Sequence, residues 1–113
     1  IWCSAGPGMD LSGRNFSRVN FRKACLIEAN LERADLAGAD FQYAQLNNAK
    51  LAGADLRGAN LTGTTLFGAD LRGADLRDTN MEAVDLRDAD LRGAEMHGAG
   101  QPGHASGRTG ACV

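Results

Sequence analysis

Large apolar residues recur at every fifth position of this chain. The row is uninterrupted, it contains eighteen residues, and it uses only Leu, Phe and Met. Its members are Leu11, Phe16, Phe21, Leu26, Leu31, Leu36, Phe41, Leu46, Leu51, Leu56, Leu61, Leu66, Leu71, Leu76, Met81, Leu86, Leu91 and Met96. An α-helix would rotate successive members by roughly 140°, and a straight strand would alternate them between its two faces. A single buried row therefore requires a corner at about every fifth residue, which predicts a solenoid of stacked coils.

The other positions of the repeat also favour particular types of residue. Two residues before the large residue the chain places a small one, mostly Ala, as a narrow interior demands. The residue immediately before it is mostly Asp or Asn, whose side chains hydrogen-bond to nearby backbone amides and should face water. Two residues after it, half of the repeats carry Gly, which suits a corner that needs a positive φ or a close backbone approach. The sequence thus predicts where the corners lie.

Several repeats are close copies of one motif. Ala-Asp-Leu-Arg-Gly occurs at 54–58 and 69–73, Ala-Asn-Leu-Thr-Gly at 59–63, and Ala-Asp-Leu-Ala-Gly at 34–38. In these motifs the chain resembles the pentapeptide repeat family. The resemblance implies an all-β fold, a right-handed quadrilateral parallel β-helix with four pentapeptides in each coil and about four and a half coils.

The resemblance also implies a register and a division of the chain. A coil of twenty residues would stack Phe21 on Phe41 and Arg57 on Arg77. We expect three segments: 1–8 as an N-terminal cap or linker, 9–98 as the β-helix of pentapeptide repeats, and 99–113 as a non-repeating, Gly-rich C-terminal tail.

Charge is distributed unevenly along the chain, although the formal net charge is only −2. Residues 9–23 have four basic residues and only Asp10 as an acid, whereas residues 24–100 contain thirteen acids and seven bases. One interpretation is a solvated surface whose excess charge keeps the protein in solution. The other is that the basic end or the acidic body docks a charged partner. The candidate partner surface consists of Arg14, Arg18, Arg22, Lys23, Asp35, Asp55, Asp75 and Glu95.

The acidic members of this set would form a ladder along one side of a twenty-residue coil. Stacked carboxylates at ~4.8 Å repel each other unless Arg or counter-ions intervene. Five Asp-Leu-Arg tripeptides oppose this repulsion, because each Asp and its Arg should project outward from the same side and partly neutralise each other. They begin at Asp55, Asp70, Asp75, Asp85 and Asp90. A metal ion on the ladder is the less favoured alternative, and we expect no metal site.

The cysteines and the first residue say little about the compartment. Cys3, Cys25 and Cys112 are odd in number, so at least one thiol stays unpaired within a monomer. Cys3 with Cys25 is the one easy intramolecular pairing, and the sequence leaves open whether it forms. No apolar run approaches the length of a signal peptide or a membrane span, so we expect a soluble protein without membrane insertion. The chain begins with Ile rather than Met, which is consistent with the removal of a targeting segment, for instance on entry into an organelle.

Catalytic constellations are missing from the sequence. Neither His97 nor His104 has a metal-ligand or triad partner at a suggestive spacing, and no phosphate-binding loop is followed by Lys-Ser or Lys-Thr. The sequence therefore predicts neither an enzyme nor a cofactor. Direct binding to nucleic acid is not expected either, because the basic residues of the first coil lack interleaved aromatic residues.

Two functions remain. The first is a structural or protein-interaction module, a subunit or assembly element of a larger complex with an unidentified protein partner. The second is implied by the resemblance: some pentapeptide repeat proteins look like double-stranded DNA in shape and charge, bind DNA gyrase and protect it from quinolones. Those proteins are long, strongly acidic dimers joined through an apolar C-terminal helix, whereas this chain is short and nearly charge-balanced.

Overall fold

A ladder of parallel β-bridges, one every five residues, defines the fold. The computed structural model describes residues 8–100, and the bridges lie at every fifth position from Asp10 to Glu95. Each bridge joins residues that are twenty apart, from Asp10 with Asn30 to Asp75 with Glu95. Because four five-residue sides separate bridged residues, the coil is a quadrilateral of twenty residues. The implied register is therefore confirmed.

We number the coils and their sides in chain order. Coils 1 to 5 are residues 9–28, 29–48, 49–68, 69–88 and 89–100, the last being incomplete. In coil 1, sides 1 to 4 are residues 9–13, 14–18, 19–23 and 24–28, and each later coil repeats these sides twenty residues further on. Each strand consists of the single bridged residue, and residues 8–100 contain no helix.

Backbone hydrogen bonds stack the coils and close each corner. On side 2, the Leu36 amide donates to the Asp55 carbonyl at 2.7 Å, and the Asp55 amide donates back to the Ala34 carbonyl at 3.0 Å. At the corner, the Ala39 amide donates to the Leu36 carbonyl at 3.0 Å, which closes a four-residue β-turn. The same pattern recurs from side to side, so the backbone polar groups are satisfied without a long strand.

A positive φ at the third residue of the turn occurs at all eighteen corners from residue 13 to residue 98. Nine corners have Gly, as the sequence indicates, but nine do not, and these adopt φ of 59–62°. They are Arg18, Lys23, Glu28, Arg33, Tyr43, Asn48, Asp78, Ala83 and Asp88. A left-handed backbone costs a non-Gly residue roughly 1–2 kcal/mol. Hydrogen bonds to the next coil hold this backbone at the corners from residue 13 to residue 78, so glycine marks only half of the corners.

The core is a column of large side chains alternating with small ones. Every member of the row from Leu26 to Met96 is buried, as are the Ala, Thr and Val residues two positions before them, from Ala29 to Ala94. Phe21 stacks on Phe41 with ring centroids 5.0 Å apart and planes 8° apart. Thr64 fits the small column because its hydroxyl donates to the Phe41 carbonyl at 2.7 Å.

Coil 1 departs from this arrangement. Leu11, Phe16 and Phe21 are only partly buried against the core. The positions that hold Ala elsewhere hold Met9, Arg14 and Val19 here, and all three are exposed. Because coil 1 has no described coil on its other side, these positions can accept larger side chains. The row is thus a buried core in coils 2 to 5 and a partly open surface in coil 1.

Some corner side chains lie over the glycine of the next coil. The ring of Tyr43 covers Gly63, so a Cβ added to Gly63 would lie 2.5 Å from Cδ1 of that ring. Gly58 has nearly the same φ, +69° against +67°, but nothing lies within 4 Å of its added Cβ. A comparison of substitutions at these two corners therefore distinguishes the cost of backbone strain, which both share, from the cost of steric crowding, which only Gly63 has.

We expect Gly63→Ala to destabilise the fold more than Gly58→Ala does. Both substitutions force Ala into a left-handed backbone, at a cost of about 1–2 kcal/mol. Only Gly63→Ala must also displace the Tyr43 ring. Urea denaturation should show the difference, and a Tyr43→Ala background should remove it. Equal losses in the wild-type background would contradict the proposed contact.

Candidate interaction surface

Where the position before a large residue holds Asp or Asn, its side chain caps the turn that follows. The Asp40 Oδ1 accepts the Gln42 amide at 3.1 Å, and the Asn60 Oδ1 accepts the Thr62 amide at 3.1 Å. This is the local hydrogen bond expected for Asp and Asn at a turn. These side chains lie on the outside of the coil, as the sequence predicts, and are half-buried or exposed.

All five Asp-Leu-Arg tripeptides form two-pronged ion pairs on this scaffold. In the pair on side 2 of coil 4, Arg77 Nε donates to Asp75 Oδ1 at 2.9 Å and Nη2 donates to Oδ2 at 2.6 Å. The pairs are Asp55 with Arg57, Asp70 with Arg72, Asp75 with Arg77, Asp85 with Arg87, and Asp90 with Arg92. The hydrogen bond from its arginine is the main cause that lowers the pKa of Asp90, to about 2. The same cause lowers the pKa of Asp55, Asp70 and Asp75.

The acidic residues of the candidate set do stack on side 2. Asp35, Asp55, Asp75 and Glu95 are joined in succession by β-bridges. Arginines nevertheless intervene between coils: Arg57 Nε lies 3.8 Å from Asp75 Oδ2, and Arg77 Nε lies 3.4 Å from Glu95 Oε1. The ladder is therefore a series of alternating charges rather than an uncompensated row of acids. Within the part of the chain that the structure describes, no three His, Cys, Asp or Glu side chains are placed to hold a metal ion.

The basic residues of the candidate set lie in coil 1, whereas its acidic residues lie in coils 2 to 5. Arg14 and Arg18 lie on side 2, and Arg22 and Lys23 lie on side 3. All four are exposed, and none takes part in an ion pair among residues 8–100. The structure thus divides the set into a basic end without ion pairs among the described residues and a ladder with its own arginines.

Two exposed aromatic side chains lie outside the set that the sequence suggests. Tyr43, at the corner between sides 3 and 4, is 54% exposed, and Phe67, on side 4, is 38% exposed. Arg87 lies over the Phe67 ring at 5.8 Å from its centroid. The sequence could have predicted this exposure, because both residues follow the large residue of their repeat, and side chains at those positions point outward.

One shallow groove and one cysteine complete the surface. The groove, of about 450 Å³, lies along a corner where Gly13 and Gly53 leave room beside Glu32 and Arg33. Cys25 is disulfide-bonded, and its partner lies outside the described residues. The pairing with Cys3 therefore stays a prediction, as do the structures expected for 1–8 and for most of 99–113. Among the described residues, no helix is long and apolar enough to cross a membrane.

The chain belongs to the pentapeptide repeat family. The family model for pentapeptide repeats matches residues 15–51, 44–82 and 69–99. Solved structures of the family share the fold, a right-handed quadrilateral β-helix. The sequence resemblance and the fold that it implies are therefore confirmed. No curated protein sequence matches this chain.

Two cyanobacterial structures are similar to this chain. HetL, a pentapeptide repeat protein involved in the regulation of heterocyst differentiation in Nostoc sp. strain PCC 7120, is 34% identical over 80% of this chain, with a TM-score of 0.60. The pentapeptide repeat protein alr5209 from Nostoc PCC 7120 is 44% identical over 70% of this chain, with a TM-score of 0.68. This chain spans 48% of the first protein and 65% of the second.

A third similar structure is that of a quinolone resistance protein, the kind of protein that the gyrase alternative invokes. QnrB1, a plasmid-mediated fluoroquinolone resistance protein, is 20% identical over 81% of this chain, with a TM-score of 0.44. A likeness at this level carries no argument about what this chain binds.

Proposed function

We propose that this chain is a non-enzymatic protein-interaction module that docks through its basic first coil onto an acidic surface of a partner. The single observation that carries the proposal is the distribution of uncompensated charge. The five arginines of the Asp-Leu-Arg pairs are held by their own carboxylates, whereas Arg14, Arg18, Arg22 and Lys23 are exposed without such a partner. Unpaired surface charge attracts an oppositely charged partner and speeds its association.

The fold supports this proposal by its rigidity. Backbone hydrogen bonds join the sides of one coil to the next coil, and turn hydrogen bonds close the corners from Phe16 to Ala99. Four basic side chains on two adjacent sides are therefore presented at one level of the coil axis, in coil 1. A preorganised surface loses less conformational entropy on binding than a flexible one does.

The paired arginines weigh against the alternative function, a DNA mimic that binds gyrase. A protein that imitates the charge of DNA needs carboxylates in a row without counter-charges, since DNA carries one negative charge per ≈ 1.7 Å of helix axis. On side 2, where the acids stack, Arg57 and Arg77 neutralise the central part of the row. A supercoiling assay with purified gyrase tests this alternative directly, and we expect no inhibition at micromolar concentrations of this chain.

We expect a fluorescent polyglutamate peptide to bind the full chain at low salt and to lose affinity when the four first-coil cations are replaced by Gln. The matched control replaces Arg57, Arg72, Arg87 and Arg92 by Gln. It removes the same total charge from elsewhere, and we expect it to keep the affinity. Fluorescence anisotropy measures both. Equal losses in the two variants would attribute binding to net charge alone and would overturn the proposed docking coil.

A further inference from the structure

Side 3 has a charge gradient along the coil axis. The residues that follow its large residue form a column along the coil axis that reads Arg22, Gln42, Thr62 and Glu82 from coil 1 to coil 4. This column is positive at one end, neutral through the two middle coils and negative at the other end.

The corner column that precedes side 3 has the same order of charge. It reads Arg18, Gly38, Gly58 and Asp78 over the same four coils. Two neighbouring columns thus share one polarity. Gly38 and Gly58 in the middle add no side chain of their own; the Arg18 side chain reaches over Gly38, and nothing lies over Gly58.

The charged ends of both columns are free to bind. Arg18, Arg22, Asp78 and Glu82 are all exposed, and none of them forms an ion pair within residues 8–100. The stacked coils hold the ends of each column three coils apart, about 14 Å at the spacing of paired strands.

We propose that side 3 binds side 3 of a second copy of this chain with the two coil axes antiparallel. The inference rests on the proposed function, since it names the acidic surface that the first coil meets. The two-fold axis lies between the two faces and is perpendicular to both coil axes. It places each column of one copy opposite the same column of the other copy, with the order of the residues reversed. Arg22 then faces Glu82 of the other copy, and Arg18 faces Asp78. By symmetry, each contact forms twice.

The remaining positions of side 3 are compatible with this contact. In the column before the large residue, Asp40 faces Asn60 of the other copy, so no like charges are opposed. At the far corner, the Tyr43 ring, which covers Gly63 of its own copy, meets the Tyr43 ring of the other copy near the two-fold axis, where its exposed half can be buried. An exposed aromatic residue beside a region without charge is typical of interface centres.

Two other sides fail the same comparison. On side 4, the corner column begins with Glu28 and ends with Asp88, so an antiparallel copy would oppose two acids at each end. On side 2, Arg57 and Arg77 already pair with the stacked acids of their own copy, so an antiparallel copy would find few free charges there. Like charges directly opposite each other are destabilising, so the charge pattern favours side 3 over sides 2 and 4.

The size of the surface sets the strength of the dimer. Four coils are roughly 20 Å tall, which makes side 3 a small interface. We therefore expect a weak dimer that is held largely by charge and that dissociates as salt shortens the range of the attraction.

Sedimentation velocity of the full chain tests the proposal. At low ionic strength the mean mass should rise from monomer toward dimer with increasing concentration, and the rise should disappear at high salt. The double variants Arg18→Glu/Arg22→Glu and Asp78→Arg/Glu82→Arg should each associate at least about tenfold more weakly, since all four contacts become repulsive. Lys50→Glu, which reverses an exposed charge on side 1, serves as the control and should associate like the wild type.

Mixing the two double variants gives the decisive measurement. Opposite charges then face each other at every contact of an antiparallel pair, so the mixture should form a heterodimer that neither variant forms alone. Circular dichroism should first verify that each variant keeps the fold. A monomer at all concentrations at low salt would overturn the proposal, and so would a mixture that fails to associate. Retained polyglutamate binding in that case would leave the proposed function standing.

Discussion

Replacing Leu56 by Asp is expected to unfold the solenoid. Leu56 lies on side 2 in the middle of the stack and is 1% exposed. The substitution loses the burial of a leucine, worth about 1.5–3 kcal/mol, and puts a carboxyl group where no partner is available. The free energy of desolvating it adds several kcal/mol whether it stays charged or takes up a proton. The sum is comparable to the whole stability of a small domain, about 5–15 kcal/mol.

The control for this experiment is Phe67→Asp. It also replaces a large apolar residue by Asp, but the position points outward on side 4, and Arg87 lies beside it. Far-UV circular dichroism and thermal melting should show loss of the folded signal for Leu56→Asp alone. An unchanged melting curve for Leu56→Asp would mean that the apolar row does not form the interior.

Truncation of Phe41 to Ala is expected to cost about 3–5 kcal/mol of unfolding free energy. Phe41 is 0% exposed, the most deeply buried aromatic side chain described, and its ring stacks on that of Phe21. Its removal leaves a cavity between coils 1 and 3. The cavity would also leave Phe21, already only partly buried, without its stacking partner, so coil 1 should loosen before the rest.

Phe67→Ala removes the same atoms from the surface and should cost less than about 1 kcal/mol. Urea denaturation of the two variants gives the comparison. Hydrogen exchange of Phe41→Ala should be fastest at amides of coil 1 that donate to coil 2, such as Phe21 to the Asp40 carbonyl. Similar losses for Phe41→Ala and Phe67→Ala would contradict the stacked core.

The sequence predicted the path of the chain more completely than its surface. The period of five located every large residue of the core, and the resemblance to the pentapeptide repeat family supplied the twenty-residue coil that stacks Phe21 on Phe41. Glycine located nine of the eighteen corners but gave no signal at corners such as Arg33 or Tyr43. Those residues have no preference for a positive φ, and only the hydrogen bonds to the next coil impose it.

For the charged residues too, the sequence predicted the local contacts but not the contacts between coils. The tripeptides indicated that each Asp lies beside its own Arg, because two residues on the same face of a short strand are neighbours. The contacts of Arg57 with Asp75 and of Arg77 with Glu95 join residues eighteen apart, and they depend on where the coils stack. The acidic ladder suggested by the sequence was for this reason largely neutralised in the structure.

The sequence by itself determined the repeat, its inward row, its caps and the sides on which charges lie, because all of these follow from the direction of a side chain within five residues. The tertiary structure alone decided which charges meet across coils, which corners accept a left-handed backbone without glycine, and that coil 1 is partly open. These features depend on contacts about twenty residues apart, and a period of five does not encode the side chains that meet there.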